Sequence, residues 1–508
     1  MKNILEMLER SARLYKDKTV FADGNKSMTY GEFLKTVKSI GSKIAAAGVY
    51  KAPVAVIAER GVECLASMFG VLAGGCFYTV IDPEMPRERI RAIFSTLKPA
   101  AVLVTNGSEP IICGLDFNSR VLYYNEAAAY KADEEGLGEI RNGVIDTDPA
   151  YVLFTSGSTG VPKGAVLTHR NVLAYTKWYA DTFKIDENTV FGSQTPFYFS
   201  MSVSDIFSTV YAGARLDIIP KMLFSFPIKL IEFMNERRVN TIYWVPSALS
   251  VAAKLKVLDY LKPAYLKKVL FAGEVMPVKP LNYWRKNLPD ALYANLFGPT
   301  ETTDICTYYI VDRRFSDGET LPIGRACDNC DVFVLKEDGT KASVGEEGEL
   351  YARGSFLSMG YYNNPEKTAA AFVQNPLNSA YPETVYKTGD LVKWNNSGEL
   401  VYVSRRDFQI KRMGYRIELG EIEAAAYTAD GVSSAAAVYD KTADSIILIY
   451  EGGQKNTEEV GKALKNRLPN YMLPERIIRI KSMPVNANGK TDRKWLTANY
   501  KNINGRDI

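Results

Sequence analysis

The chain has 508 residues, which is too many for one ordinary hydrophobic core, so two or more domains are expected. Its hydrophobic content of 46% and charged content of 24% are those of a globular protein, and a formal net charge of +4 does not favour nucleic-acid or membrane partners. The single histidine, His169, excludes mechanisms that need a pair of histidines, and one Cys-x-x-Cys pair is weak evidence for zinc.

The N-terminal stretch does not have the pattern of a targeting signal. Residues 1–10 are predicted to form an amphipathic helix with acidic residues inside it, unlike a signal peptide. No apolar run reaches the length needed to span a bilayer. The sequence therefore predicts a cytoplasmic protein.

The first part of the chain alternates between short strands and helices. Residues 1–50 are predicted to form a helix, a short hairpin and a second helix, with Thr29 as N-cap and Glu32 three residues later. This alternation favours a largely parallel sheet covered by helices. The predicted strands are 53–58, 76–81 and 100–105, and the predicted helices between them are 62–74 and 87–97.

A glycine-rich loop, residues 153–164, follows a run that ends like a strand. Its glycines, its hydroxyl residues and Lys163 would offer many backbone N–H groups and one cation to the oxygens of a polyphosphate. A flexible surface linker is the alternative, but a linker needs neither the preceding strand nor the Pro-Lys-Gly ending. The loop also differs from the P-loop pattern, because no Gly-Lys-Ser/Thr opens a helix.

The alternation resumes after the loop and predicts a second α/β arrangement before residue 310. The strands expected there are 190–195, 215–219, 240–245, 268–272 and 291–295, and the helices are 171–183, 202–212 and 229–238. From about residue 320, short strands separated by turn signals favour an antiparallel β unit. From Asp407 the pattern is that of a small α+β domain.

The predicted fold class is therefore α/β. We expect a large N-terminal domain, residues 1–406, made of two helix-covered sheets plus a β-barrel-like unit. A small, mobile α+β domain, residues 407–508, would follow it.

Three further stretches carry residues suited to nucleotide chemistry. Thr300 and Glu301 follow a predicted strand and a Gly-Pro pair. A carboxylate near a phosphate-binding loop suits Mg²⁺. The start of a capped helix would use the same residues. Asp390 follows a glycine and could meet sugar hydroxyls, or it could be an acid in a plain β-turn. Lys490 lies on a loop near the C-terminus and could also belong to a solvated basic tail.

In this order and spacing, the stretches resemble the adenylate-forming superfamily, and in particular stand-alone adenylation domains of nonribosomal peptide synthesis and ligases that load D-alanine onto a carrier protein. The resemblance runs from about Thr29 to Arg493 and includes Tyr-Lys-Thr-Gly-Asp-Leu at 386–391. It implies that a carboxylate attacks the α-phosphate of ATP with Mg²⁺, which gives an acyl-adenylate and pyrophosphate. The phosphopantetheine thiol of a carrier protein would then take the acyl group.

The resemblance also implies roles for individual residues. Thr300 would contact the α-phosphate, Glu301 would hold Mg²⁺, and Lys490 would bridge the substrate carboxylate and the adenylate. Phe297 would stack on adenine, and Asp390 would hold the ribose hydroxyls with Arg405 nearby. The loop residues that would bind the β- and γ-phosphates are Thr155, Ser156, Gly157, Ser158, Thr159 and Lys163.

The small domain of such enzymes is thought to rotate between the two steps, and Asp407 matches the hinge residue. Ser404 stands where the family usually has glycine before the hinge motif. No carrier segment follows Arg493, so the carrier is expected to act in trans.

The resemblance places the following residues around the substrate: Ser200, Met201, Ser204, Trp244, Leu270, Ala272, Leu296, Asp304 and Ile305. Amino-acid-activating members usually have an Asp where Ser200 stands, and a buried ammonium needs a partner, so an ordinary α-amino acid is disfavoured. Asp304 could partner a distal amino group instead, whereas Asp205 matches an acid that normally faces elsewhere. Aryl acids, β- or ω-amino acids and small amino acids such as D-alanine remain open.

The leading hypothesis is an ATP-dependent ligase that loads a small carboxylic or amino acid onto a carrier protein. An acyl- or aryl-CoA ligase that uses free CoA is the alternative within enzymes. A non-catalytic nucleotide-binding protein is disfavoured by the presence of Lys163, Glu301, Asp390 and Lys490.

Overall fold

A computed structural model describes residues 1–115, 117–157, 160–452, 457–485 and 491–503. The chain forms two compact units. The first unit contains Met1–Pro83, Leu97–Leu153 and Gly164–Arg406, and the second contains Glu84–Thr96, Phe154–Lys163 and the chain from Asp407 onward. The two short segments of the second unit come from the part of the chain that the sequence analysis assigned to the N-terminal domain.

One helix-covered sheet is formed by the N-terminal third of the chain. Its strands, in spatial order, are Arg120–Tyr123, Ala101–Val104, Pro53–Ile57, Phe77–Ile81, Pro149–Thr155 and Lys163–Thr168. Val56 pairs in parallel with both Val80 and Leu103. The strands Pro53–Ile57 and Phe77–Ile81 are buried at every position, as is typical of parallel strands between helices.

A second sheet combines strands from residues 190–326, after the glycine-rich loop, with two strands from the N-terminal part of the chain. Its strands, in spatial order, are Arg325–Ala326, Thr307–Ile310, Leu292–Phe297, Lys268–Phe271, Thr241–Trp244, Val190–Ser193, Arg215–Ile218, Thr19–Ala22 and Ser27–Thr29. The central strands are parallel, and pairing becomes antiparallel between Leu292–Phe297 and Thr307–Ile310. The connection across this change of direction contains Thr300 and Glu301.

Helices of the first unit cover these sheets. They are Ile4–Leu14, Tyr30–Ala46, Val62–Ala73, Tyr124–Ala128, Glu134–Gly143, His169–Phe183, Met201–Ala212, Pro227–Glu236, Pro246–Lys254 and Val278–Asn287. A further helix, Pro365–Ala371, contacts the strands Phe372–Gln374 and Thr384–Trp394 instead. The predicted N-cap is confirmed, because Thr29 and Glu32 form a complete capping box. None of the helices in the described part of the chain is long and apolar enough to cross a membrane.

The predicted antiparallel β unit is also present. Its strands are Cys330–Leu335, Glu347–Gly354, Phe372–Gln374, Thr384–Trp394 and Leu400–Arg405. All the pairs between them are antiparallel. The predicted fold class, with two helix-covered sheets, a β unit and a C-terminal α+β segment, is therefore confirmed.

The second unit combines short helices with antiparallel and parallel strand pairs. Its helices are Arg87–Leu97, which ends in the first unit, Leu419–Ala426, Thr457–Arg467 and Arg493–Asn499. Its strands are Gln409–Arg412, Tyr415–Glu418, Val432–Asp440, Ser445–Gly452 and Arg476–Ile480. Met413 and Gly414 connect the first two strands with φ values of 50° and 79°, which suit a tight two-residue hairpin turn.

Candidate active site

Glu301 is held in the turn that follows the strand Leu292–Phe297. The turn passes through Gly298, where a Cβ would lie 2.5 Å from Cα of Ile305, so glycine is required there. Glu301 is fully buried. The hydroxyl of Tyr361 donates a hydrogen bond of 2.6 Å to its Oε1, which fixes the carboxylate.

The surroundings of Glu301 fit a magnesium ion bound together with a nucleotide. Among the described residues, no group of three or more His, Cys, Asp or Glu side chains could hold a metal ion alone. Mg²⁺ is commonly bound by one or two carboxylates plus substrate phosphates, so a single oriented carboxylate suits it.

The chain after Glu301 turns through a strained residue. Thr303 has a φ of 69°, which is rare for a β-branched side chain. Its hydroxyl donates to the carbonyl of Phe356 at 2.8 Å, and the N–H of Asp304 donates to the carbonyl of Thr302 at the same distance. The strained turn sends Asp304 into the protein core.

Asp304 lies at the centre of a ring of hydroxyl groups. Its Oδ2 accepts hydrogen bonds from Ser204 at 2.9 Å, from Tyr243 at 3.0 Å and from Tyr175 at 3.1 Å. The hydroxyl of Ser200 also acts to lower the pKa of this carboxylate. Burial raises the pKa of Asp304 to about 6, and the hydroxyl donors oppose this shift.

Thr300 connects the ring of hydroxyl groups around Asp304 to the turn that holds Glu301. Its Oγ1 lies 3.4 Å from Oγ of Ser200, and both side chains are half-buried. Ser200 is therefore next to both Thr300 and Asp304. Three of the predicted site residues are brought together in this way.

Most of the other residues predicted around the substrate belong to one core. That hydrophobic cluster includes Met201, Leu270, Ala272, Leu296 and Ile305, together with Tyr175 and Tyr243. Trp244 lies in a different cluster, where its Nε1 donates to the carbonyl of Gly192 at 2.8 Å.

This placement corrects the assignment of Trp244 as a lining residue. The side chains of successive residues in a strand point to opposite faces of the sheet, so those of Tyr243 and Trp244 cannot lie on the same face. Tyr243 donates to Asp304, whereas Trp244 packs edge-to-face against Phe224. Tyr243 and Tyr175 are absent from the residues predicted around the substrate, although alternation along the predicted strand 240–245 is a signal for Tyr243.

A second acid is buried close to the ring. Asp205 is fully buried, and neither carboxylate oxygen has a well-formed hydrogen bond to another described residue. Burial raises its pKa well above the ordinary value, and the negative charge of Asp304 adds to the shift. The hydroxyl of Ser193 and the charge of Arg60 oppose it.

Asp390 and Arg405 form a buried ion pair in the β unit. The two residues face each other across antiparallel strands, and Nη1 of Arg405 lies 3.1 Å from Oδ1 of Asp390. The same nitrogen donates to the carbonyl of Thr388 at 2.9 Å. The ion-pair contact is not a well-aligned hydrogen bond, and no other described residue donates to Oδ1 of Asp390, so this oxygen could still accept a hydrogen bond from a sugar hydroxyl.

Phe297 ends the strand Leu292–Phe297 and is buried. Its ring packs at a tilt against Tyr402, with the centroids 5.9 Å apart. Its predicted stacking on adenine stays a prediction.

The glycine-rich loop packs within the second unit. The hydroxyl of Ser156 donates to the carbonyl of Arg416 at 2.7 Å. The N–H of Gly157 donates to Oε2 of Glu421 at 3.2 Å, and Oε1 of Glu421 lies 2.5 Å from Nη1 of Arg89. Burial raises the pKa of Glu421, and the guanidinium of Arg89 opposes this shift.

The remaining loop residues are placed only in part. The hydroxyl of Thr155 lies 3.4 Å from the carbonyl of Lys163, which begins the strand Lys163–Thr168. Gly160 has a φ of 80°, a conformation that favours glycine. Ser158, Thr159 and Lys490 lie outside the described residues.

His169 has a structural environment at the start of a helix. It is the first residue of the helix His169–Phe183, and its Nδ1 accepts a hydrogen bond of 3.3 Å from the N–H of Ile4. Burial lowers its pKa to about 4, so the imidazole is neutral.

Comparisons with known proteins identify the family. The model of the AMP-binding enzyme family matches residues 8–362. Bacitracin synthase 1 of Bacillus licheniformis is 31% identical over 500 residues, covering 97% of this chain and 9% of that protein. The L-proline–[L-prolyl-carrier protein] ligase of Pseudomonas fluorescens is 31% identical over 507 residues, covering 97% of this chain and 98% of that protein. The crystal structure of IdnL1 matches with a TM-score of 0.83 and 26% identity, covering 95% of this chain and 99% of that chain.

The chain belongs to the AMP-binding enzyme family, and the resemblance to adenylate-forming enzymes is confirmed. It spans only 8% to 20% of the length of several peptide synthases that it matches, so their complete activities are not carried over to it.

Proposed function

We propose that the protein activates a small carboxylic or amino acid with ATP and transfers it to the phosphopantetheine thiol of a separate carrier protein. The observation that carries this proposal is the turn that holds the buried Glu301 carboxylate beside Thr300, within the segment matched by the family. The Pseudomonas ligase, aligned over nearly its whole length, is named for loading proline onto a carrier protein.

In the first step, the chain's contribution is to position the nucleotide and stabilise charge. Thr300 would donate its hydroxyl to the α-phosphate. Oδ1 of Asp390 would accept a hydrogen bond from a ribose hydroxyl, because no described residue donates a well-aligned hydrogen bond to this oxygen. The loop residues Ser156 and Gly157 would contact the outer phosphates together with Ser158 and Thr159, and their present hydrogen bonds to Arg416 and Glu421 would have to be exchanged for bonds to phosphate oxygens.

A bound Mg²⁺ would neutralise charge on the phosphate oxygens, and Glu301 is the residue that would hold it. Tyr361 keeps the Glu301 carboxylate oriented through its hydroxyl. By resemblance, Lys490 would stabilise the negative charge that grows when the carboxylate attacks the α-phosphate. Neither of these assignments requires a covalent nucleophile from the protein.

The second step would release AMP as the thiol attacks the acyl-adenylate. We assign Asp407 as the hinge of a rotation that would remove Lys490 and admit the thiol. We also place the reaction in the cytoplasm, where ATP and carrier proteins are available. No nucleic-acid or membrane partner is proposed.

The function is tested by carboxylate-dependent exchange between ATP and pyrophosphate over aryl, β-amino, D-amino and other small acids. Loading is then compared between free CoA and a phosphopantetheinylated carrier. Transfer to the carrier alone supports the proposal, whereas efficient transfer to CoA alone favours the acyl- or aryl-CoA ligase. Absence of exchange with every acid would favour a non-catalytic nucleotide-binding protein.

The role of Lys490 is tested by Lys490→Ala, with Lys494→Ala as the control. Lys494 is exposed at the start of the helix Arg493–Asn499. We expect Lys490→Ala to lose most of its exchange activity while it keeps most of its ATP binding. Unchanged exchange in that variant would contradict the assigned role.

A further inference from the structure

We propose that Glu421 competes with the outer phosphates of ATP for the glycine-rich loop, so that an autoinhibitory contact holds the loop until a nucleotide displaces it. The inference rests on the proposed function, because it concerns the phosphates that the loop would bind. It assigns to this carboxylate a role in the binding of ATP and in the release of pyrophosphate.

The hydrogen bond from the backbone N–H of Gly157 carries the inference. Oε2 of Glu421 accepts this bond at 3.2 Å. Backbone N–H groups in such a loop bind the oxygens of phosphates and of carboxylates alike, because both are anionic acceptors. An N–H that points at a carboxylate oxygen is not available to a phosphate oxygen. Glu421 therefore occupies a donor that the nucleotide would need.

Two further contacts hold the loop against the same part of the chain. The hydroxyl of Ser156 donates to the carbonyl of Arg416 at 2.7 Å, so its proton is engaged as well. Gly160 lies directly against the helix that carries Glu421, because a Cβ built on this glycine would lie 2.9 Å from Cβ of Ala424. The contact with the carboxylate is therefore part of a close fit between the loop and this helix.

Arg89 anchors the carboxylate more firmly than the loop does. Its Nη1 lies 2.5 Å from Oε1 of Glu421, and both side chains are 4% exposed. The bond from Gly157, at 3.2 Å, is longer than the distance of about 2.7–2.9 Å that is typical of charge-assisted hydrogen bonds. The weaker of the two bonds is thus the one that a phosphate would replace, and the buried ion pair would remain.

The same contact would act again after acid activation. Departing pyrophosphate leaves the N–H of Gly157 and the hydroxyl of Ser156 without acceptors, and an unpaired donor is costly unless water or the protein replaces the lost acceptor. Glu421, still held by Arg89, would return to Gly157 and oppose rebinding of pyrophosphate. AMP has neither outer phosphate, so its binding would not depend on this competition.

The test measures the binding of ATP and pyrophosphate, each with Mg²⁺, and of AMP by isothermal titration calorimetry. The double variant Arg89→Met/Glu421→Leu removes the contact without leaving a buried charge alone. We expect its Kd for ATP and for pyrophosphate to fall on the order of 10-fold, because the loop donors become available in a larger fraction of molecules. Its Kd for AMP should equal that of wild type.

Glu421→Gln is the second variant, and Glu423→Gln is the matched control. Glu421→Gln keeps the shape of the side chain but offers a neutral acceptor, so we expect a smaller change in the same direction. Glu423 lies on the same helix, where its carboxylate accepts hydrogen bonds from Arg493 at 2.6 and 2.7 Å and from the N–H of Ala437 at 2.7 Å. Glu423→Gln should lower stability and change none of the three Kd values.

Unchanged Kd values for ATP and pyrophosphate in both Glu421 variants, with thermal unfolding showing that they are folded, would overturn the inference. Weaker binding in these variants would overturn it too, because Glu421 would then support the loop. An equal change for AMP would have the same meaning. The proposed function fails separately, through absence of acid-dependent exchange in a protein that still binds ATP. Absence of ATP and pyrophosphate binding in wild type would refute both.

Discussion

The carboxylate of Glu421 accepts a hydrogen bond from the backbone N–H of Gly157 at 3.2 Å. Its other oxygen lies 2.5 Å from the guanidinium of Arg89, and both side chains of this ion pair are 4% exposed. The N–H groups of a glycine-rich loop suit anionic oxygens. In this structure, one of those donors is therefore occupied by a carboxylate of the second unit.

The pair of Arg89 and Glu421 gives the first prediction. Arg89→Met alone should lower the free energy of unfolding by about 3–5 kcal/mol, because it leaves a buried carboxylate without its cation. The double variant Arg89→Met/Glu421→Leu should recover most of that loss, because neither buried charge remains. Urea denaturation of wild type, both single variants and the double variant measures the coupling. A double variant whose loss equals the sum of the two single losses would show that the residues do not interact.

The second prediction concerns Glu301. Glu301→Gln keeps an oxygen that can accept the hydrogen bond of Tyr361 but removes the charge proposed to hold Mg²⁺. We expect the exchange reaction to need a higher Mg²⁺ concentration for half-maximal rate, together with a lower maximal rate. Tyr361→Phe retains the charge and should shift the Mg²⁺ dependence less. Identical Mg²⁺ curves for wild type and Glu301→Gln would exclude the proposed role.

Asp390 carries the third prediction. Asp390→Ala should raise the KM for ATP by about 10–100-fold, which corresponds to the loss of a hydrogen bond to a charged group worth about 1.5–3 kcal/mol. Removal of this residue also leaves Arg405 without its ion-pair partner, so stability must be measured alongside. A ribose-specific readout separates the two effects, because wild type should discriminate against a deoxyribose nucleotide and Asp390→Ala should not. Discrimination that persists in the variant would assign ribose recognition to other residues.

The fourth prediction is a pH dependence of stability that comes from Asp304. Its pKa rises from 3.8 to about 6 because the side chain is buried, so the folded chain binds this proton more tightly than the unfolded chain. The resulting stabilisation is complete below pH 3.8 and is lost as the pH rises through about 6. Wild type should therefore lose about 3 kcal/mol relative to Asp304→Asn between these limits.

The measurement is the difference in urea denaturation between the two proteins from pH 4 to pH 7. Several titratable groups interact electrostatically with Asp304, and the pKa of each is raised: Tyr151, Tyr175, Tyr179, Tyr243, Cys327 and Asp205. Among these, Asp205 is the other carboxyl group, and Asp205→Asn therefore isolates its share. A difference that does not vary with pH would refute the raised pKa of Asp304.

Local sequence patterns predicted most secondary structure. The capping box of Thr29 and Glu32 needs only residues three positions apart, so it is visible in the sequence and is present in the structure. Buried parallel strands such as Pro53–Ile57 are also recognisable, because each is a short apolar run between turn signals.

The arrangement of side chains around the candidate site was less predictable. The resemblance placed Trp244 in the pocket, but the alternation of the strand directs Tyr243 toward Asp304 instead. The positive φ of Thr303 has no sequence signal, because a β-branched residue is normally excluded from that conformation. Likewise, no periodic pattern of apolar residues in the sequence identifies the segments Glu84–Thr96 and Phe154–Lys163 as parts of the second unit.

The presence of a single histidine, His169, has a practical consequence. Because Nδ1 of His169 accepts the N–H of Ile4, the neutral ring carries its proton on Nε2. The side chain is shielded from solvent, and no other histidine in the chain would overlap its signal. One nitrogen resonance, with its tautomer already assigned, would thus report whether the first turn of the N-terminal helix stays docked while the enzyme turns over.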